Sequence, residues 1–179
     1  MSCRPISCLI LAGLLCPSMQ AYSVKGCQRI GPFEMRELLA AEVVVIATAV
    51  EYERPHEGNS TTNGVPDSTV RFQIHKLLRG RLKTDMVVFP GYLGNTDDFN
   101  DVPVPYHFVR PNGRSGMCFA NTYKRGAEYL LFLRHTEIGL TPYWSSLGPT
   151  NEQLHGFDDP WVSWTERYLK RHRIIRRAA

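Results

Sequence analysis

Apolar and polar positions alternate in some stretches of this chain, merge into unbroken apolar runs in others and vanish between them. These contrasts predict its elements. From Val43 to Glu53 the side chains of Val44, Ile46, Thr48, Val50 and Tyr52 alternate with those of Val43, Val45, Ala47, Ala49 and Glu51. A β-branched run of period two is a strand signal. Ser68 to Leu78 sets Val70, Phe72 and Ile74 on one side and Thr69, Arg71, Gln73 and His75 on the other, a half-buried second strand. Asp85 to Phe89 predicts a third strand, stopped by Pro90-Gly91. Every residue from Tyr129 to Leu133 is apolar, so a fourth strand there is covered on both faces. Gly126 just ahead of it suits a turn with positive φ or a bulge. A fifth strand over Leu140–Leu147 carries Tyr143 and Trp144.

Helical spacing occurs near both ends. In Pro32–Glu42, Phe33, Met35, Leu38 and Leu39 share one face, with Pro32 suited to the first turn. Thr150 and Gln153 have the spacing of a capping box, which predicts a helix start there. Asp159-Pro160 reads as an N-cap and first-turn proline. The helix that follows, over 159–173, aligns Trp161, Trp164, Tyr168 and Leu169. Two polar stretches interrupt the pattern. Arg54–Asp67 is a Gly/Pro/Asn-rich loop whose Asn59-Ser60-Thr61 would accept an N-glycan in a eukaryotic host. Tyr92–Gly116 is long and irregular, and loops of that length in compact domains tend to carry function.

The first residues change the picture. Arg4, the short apolar run Cys8–Cys16 and the break at Pro17-Ser18 have the order of a secretory signal, too short to span a bilayer. The expected signal peptide covers residues 1–23, cut after Ala21 or Ser23. The protein is therefore expected to be secreted or periplasmic. Of its five cysteines only Cys27 and Cys118 survive such a cut. Two cysteines in an oxidising compartment suggest a Cys27–Cys118 disulfide, worth up to about 4–5 kcal/mol for so long a loop. No later apolar run reaches membrane-spanning length, and the net charge of +4 is mild and concentrated at the C-terminus.

Reactive motifs are sparse. Gly113-Arg114-Ser115-Gly116 is not a nucleophile elbow, and no glycine loop is spaced to cradle phosphate. His75, His107, His135 and His155 are scattered, with no zinc-ligand spacing. Asn95, Asp97, Asp98, Asn100 and Asp101 could offer oxygens to calcium but lack the regular spacing, central glycine and distal glutamate of an EF-hand loop. Strand two sets Arg71 and His75 together without the exposed aromatics that nucleic-acid binding uses. These readings imply no catalytic residues, no metal, no cofactor and no nucleic-acid partner. The expected activity is binding to a protein or other extracellular ligand. The expected surface is the long loop at Tyr106, His107, Phe108 and Arg110.

Several motifs, taken in order, resemble the netrin-like superfamily, which includes the tissue inhibitors of metalloproteinases. The matching pieces are Cys27 ahead of AAEVVVIATAVEYE, then STVRFQIHKLLRG, then Cys118 through YKRGAEYLLFLR. The tail, with SLGPTNEQLHG and DDPWVSWTERYL, looks like the ending of bacterial secreted relatives. The resemblance spans most of residues 27–170 and implies a mainly β fold. That fold is a five-stranded OB-like, netrin-like barrel with a short N-terminal helix and a C-terminal helix, forming one domain over 24–179. The inhibitors chelate the protease's zinc through the free amine and carbonyl of an N-terminal cysteine. Here either expected cut leaves residues ahead of Cys27, and Arg29 stands where the inhibitors have a second cysteine. A metalloprotease inhibitor acting through Cys27 is thus the alternative to a non-catalytic binding module.

Overall fold

The computed structural model describes residues 33–57, 65–114, 118–137 and 139–178, with side chains through His172. The expected signal peptide, Cys27 and the Asn59 glycan acceptor lie outside these residues. The described elements are β1 (Val43–Arg54), β2 (Thr69–Arg79), β3 (Met86–Pro90), β4 (Tyr92–Gly94), β5 (Thr122–Lys124), β6 (Glu128–Thr136), β7 (Gly139–Pro142), β8 (Asn151–Gln153) and α1 (Pro160–Ala178). A 3-10 turn, Met35–Ala40, precedes β1.

The main sheet runs β3-β2-β1-β6-β7, with β8 added to β6, and β4 and β5 form a separate parallel pair. Three strands in sequence, and a fourth that returns to lie beside the first, make a Greek key. β1 pairs antiparallel with both β2 and β6, which makes it the central strand. β3 and β7 approach one another across the sheet, but no ladder joins them. The protein is thus mainly β with a C-terminal helix, as the pattern predicts.

Alternation on β1 and β6 builds two cores. Val43, Val45, Ala47 and Ala49 face Phe72, Phe89, Tyr129 and Leu131 inside the curved sheet. Val44, Ile46, Leu130 and Phe132 face the other way, where Phe33, Leu38 and Trp161 cover them. Burying both faces of these strands explains why their sequences carry no charged residue from Val43 to Ala47 and from Tyr129 to Leu133. Gly126 takes φ 76 at the turn into β6, as its position suggests.

Four expectations need correction. The Ala49–Glu51 register shift is a bulge, so Tyr52 packs with the inner core instead of continuing the face of Val44 and Ile46. The helix expected over Pro32–Glu42 is the 3-10 turn alone. The fifth strand stops at Pro142 rather than Leu147: Tyr143 N–H still donates to the Phe132 carbonyl at 2.7 Å, but Phe132 N–H donates to Thr150, and from there β8 takes over the pairing with β6. Thr150–Gln153 starts no helix; Asn151–Gln153 is β8, paired with Tyr129–Leu131. The α1 start is as expected: Asp159 Oδ1 accepts the Trp161 N–H at 2.8 Å.

Candidate functional site

The long segment after β3 folds inward and brings a charge with it. Arg110 is fully buried, its guanidinium flanked by the rings of Tyr123 and Tyr129 at 5.2 and 5.4 Å. Its Nη1 pairs with Asp98, and its Nε donates to the Asn151 carbonyl at 3.0 Å. The Arg110 backbone N–H donates to Glu152 Oε1 at 3.1 Å, and Asn100 Nδ2 donates to Glu152 Oε2 at 2.8 Å. Asn151 Nδ2 donates to the Tyr123 hydroxyl at 2.8 Å. Gln153 joins the seam by accepting the Asp98 N–H at 2.8 Å and donating to Asp97 at 2.6 Å. A charge taken out of water is tolerated only with such partners.

Burial pushes the Glu152 carboxyl up to about 7, although Arg110 and the Asn100 hydrogen bond pull it down. A buried carboxylate of that kind is often a catalytic acid or base. Here Glu152 has no exposed surface, and both of its oxygens accept hydrogen bonds from the protein. Neither described cavity includes it among its lining residues. The seam therefore fixes the loop on β5, β6 and β8. Glu152 itself is sealed from solvent there.

The acidic run considered for calcium is engaged with side chains of this chain. Asp97 pairs with Lys124 at 2.7 Å, Asp98 with Arg110, and Asp101 with Arg114 at 2.6 Å. Hydrogen bonds from Lys124 and Gln153 hold Asp97 below the usual carboxylate range, and Arg114 does the same for Asp101. Asn100 reaches inward to Glu152 and the Phe108 carbonyl.

The four residues expected to form a binding surface are divided. Tyr106 is buried against Trp161, their rings 4.9 Å apart, and burial pushes its hydroxyl up to about 12. Arg110 lies in the seam, so neither it nor Tyr106 forms an exposed surface. His107 and Phe108 are exposed. Their tip is stitched to its surroundings: Val109 N–H donates to the Leu147 carbonyl at 2.8 Å, and Leu147 N–H donates to the Cys118 carbonyl at 2.9 Å. His107 Nδ1 faces the Phe33 carbonyl at 3.4 Å, so the N-terminal segment arrives beside the same tip. Phe119 and Trp144, half-buried and in edge contact at 5.3 Å, belong to the same joined segments.

Sequence patterning missed Glu152, Asn151 and Gln153, because three consecutive polar residues carry no strand alternation. It missed the Phe119–Trp144 pair because only the fold joins those segments to the tip. A scan against protein-family models finds no match to the chain, and searches among curated proteins and solved structures find none either.

Proposed function

We propose that the protein is an exported, non-catalytic binding module on a netrin-like barrel of OB type. The His107–Phe108 tip is its binding surface. The strand order β3-β2-β1-β6-β7, with β3 and β7 drawn together, supports the barrel reading, since OB barrels are five-stranded, Greek-key and partly open. The observation that carries the function is the tip itself. An exposed phenylalanine and histidine stand on a loop whose next residues are locked by the Arg110–Glu152 hydrogen bond and by the Val109 backbone bond to Leu147, itself bonded to Cys118. A preorganised aromatic anchor loses little freedom on binding. His107→Ala/Phe108→Ala in the exported protein should abolish its co-purification with a partner while leaving the melting temperature unchanged. Retention of every partner would overturn the assignment.

A second reading, inhibition of a metalloprotease through the segment at Cys27, is favoured by the Phe33 contact with His107. It requires a mature chain that begins at Cys27. Intact mass of the exported protein decides this, and a rise of roughly two mass units on reduction would establish the proposed Cys27–Cys118 disulfide. A chain starting at Tyr22 or Val24 removes the inhibitor reading.

A further inference from the structure

The buried seam and the exposed tip meet at one side chain. Asn100 Nδ2 donates to Glu152 Oε2 and to the Phe108 carbonyl, both at 2.8 Å. Its Oδ1 accepts the Val102 N–H at 3.1 Å and Arg114 Nη2 at 3.3 Å. The Arg110 N–H donates to the other Glu152 oxygen at 3.1 Å. The Glu152 carboxyl therefore holds the chain on both sides of Val109, directly behind Phe108. Arg114 Nε closes the frame by donating to the Val109 carbonyl at 2.6 Å. This arrangement suits one form of Glu152 only. A carboxylate accepts hydrogen bonds, and both of these neighbours donate. A carboxylic acid carries an O–H that needs an acceptor of its own. The Arg110 N–H, fixed in the backbone, cannot supply one. Asn100 can, by turning its amide so that Oδ1 faces Glu152. That turn withdraws Nδ2 from the Phe108 carbonyl and sets it against two other donors, the Val102 N–H and the Arg114 guanidinium.

We propose that Glu152 governs the tip through its ionisation: as a carboxylate it keeps Asn100 on the Phe108 carbonyl, and on protonation it releases that carbonyl. The functional meaning rests on the tip as the binding surface. The groups that set the balance surround the carboxyl. Burial and Asp98 favour the acid, while Arg110 and the Asn100 hydrogen bond favour the carboxylate. Tyr106, just ahead of the tip, senses the charges of Asp159 at the start of α1 and of Glu152. Tyr129 of β6 flanks Arg110 at 5.4 Å. With the Glu152 carboxyl pushed up to about 7, roughly a tenth of the molecules are ionised at about pH 6. Affinity through the tip should then be about tenfold lower than at about pH 8, since only the ionised form holds it in place.

Carbon-13 NMR of the exported protein from about pH 5 to about pH 9 tests the coupling. The side-chain carboxyl carbon of Glu152 reports its ionisation, and the carbonyl carbon of Phe108 reports the hydrogen bond. The expected result is one common midpoint at about 7 for both carbons. In Asn100→Ala the Glu152 carbon should still titrate while the Phe108 carbonyl stays flat. His107→Gln, at an exposed position, should leave the common midpoint in place. A Phe108 carbonyl that stays flat in the unmutated protein while Glu152 titrates would overturn the coupling. So would a Glu152 carbon without a midpoint in this range, co-titration that survives Asn100→Ala, or a midpoint that disappears with His107. The probes are the protein's own nuclei, so the outcome does not depend on a partner. Loss of partner capture through position 108 would remove the tip as a binding surface, whereas a common midpoint would still establish the coupling.

Discussion

Arg110 and Lys170 are both cations near apolar surroundings, yet the molecule treats them in opposite ways. Arg110 has no exposed surface and meets a carboxylate, carbonyls and two tyrosine rings. Lys170 stands exposed at the edge of the leucine-lined groove between β2 and α1, whose lining carboxylate, Glu166, is paired with Lys76. The difference teaches where binding can occur. A polar group whose partners are already supplied holds architecture together, whereas an exposed charge beside apolar surface can still gain from a ligand. By the same measure the seam under the loop is a frame, and the exposed His107–Phe108 tip it supports is available for contact.

The contrast breaks most sharply at Arg110. Arg110→Met leaves Asp98 and Glu152 without their cation, and urea unfolding should register a loss of about 3–5 kcal/mol. Arg110→Met/Asp98→Asn should recover part of it, because the stranded charge is removed with its partner. Full additivity of the two single losses would contradict the pairing.

The next effect is a pH dependence from Glu152. Its folded pKa, about 7, lies above the ordinary glutamate value of 4.5. The folded state therefore holds a proton that the unfolded chain has released across that interval. The contribution is fully present below about pH 4.5, falls as pH rises and is gone above about pH 7, a span of roughly 3 kcal/mol. Glu152→Gln should flatten the stability profile over this window. An unchanged slope would place its origin in another group.

A smaller gain is expected on α1. Thr165 is buried and its hydroxyl has no hydrogen-bond partner among the described residues, in contrast to the Arg110 and Glu152 side chains of the seam. Thr165→Val keeps the shape and removes that group, and should raise stability by about 1 kcal/mol in thermal unfolding. Lys170→Glu and Leu77→Asp should do least, within about 0.5 kcal/mol, because neither side chain is enclosed. A large loss from either would mean that the groove is part of the packed interior.

The patterned strands were the most legible part of the chain. β1, β2, β3 and β6 lie within a residue or a few of their patterned runs, because alternation and β-branching are imposed by the cores they fill. The α1 start was equally legible in Asp159-Pro160, where one side chain caps its own helix. The bulge after Ala49 was not, since a register shift depends on the partner strand rather than on β1 alone. Nor was β8, whose Asn151, Glu152 and Gln153 are buried by long-range partners such as Arg110, Asn100 and Asp97. The candidate surface was half visible. An irregular loop of suitable length marked the segment, but which of Tyr106, His107, Phe108 and Arg110 face outward is set by Trp161 and Glu152, far away in sequence.

The most direct test of the loop tip as the binding surface is site-specific photo-crosslinking in the exported protein. A photoreactive phenylalanine replaces Phe108 in one sample and Phe157, 61% exposed and outside the stitched segments, in another. The account predicts one defined adduct from position 108 and none from 157. Equal labelling from both positions, or an adduct from 157 alone, would contradict it.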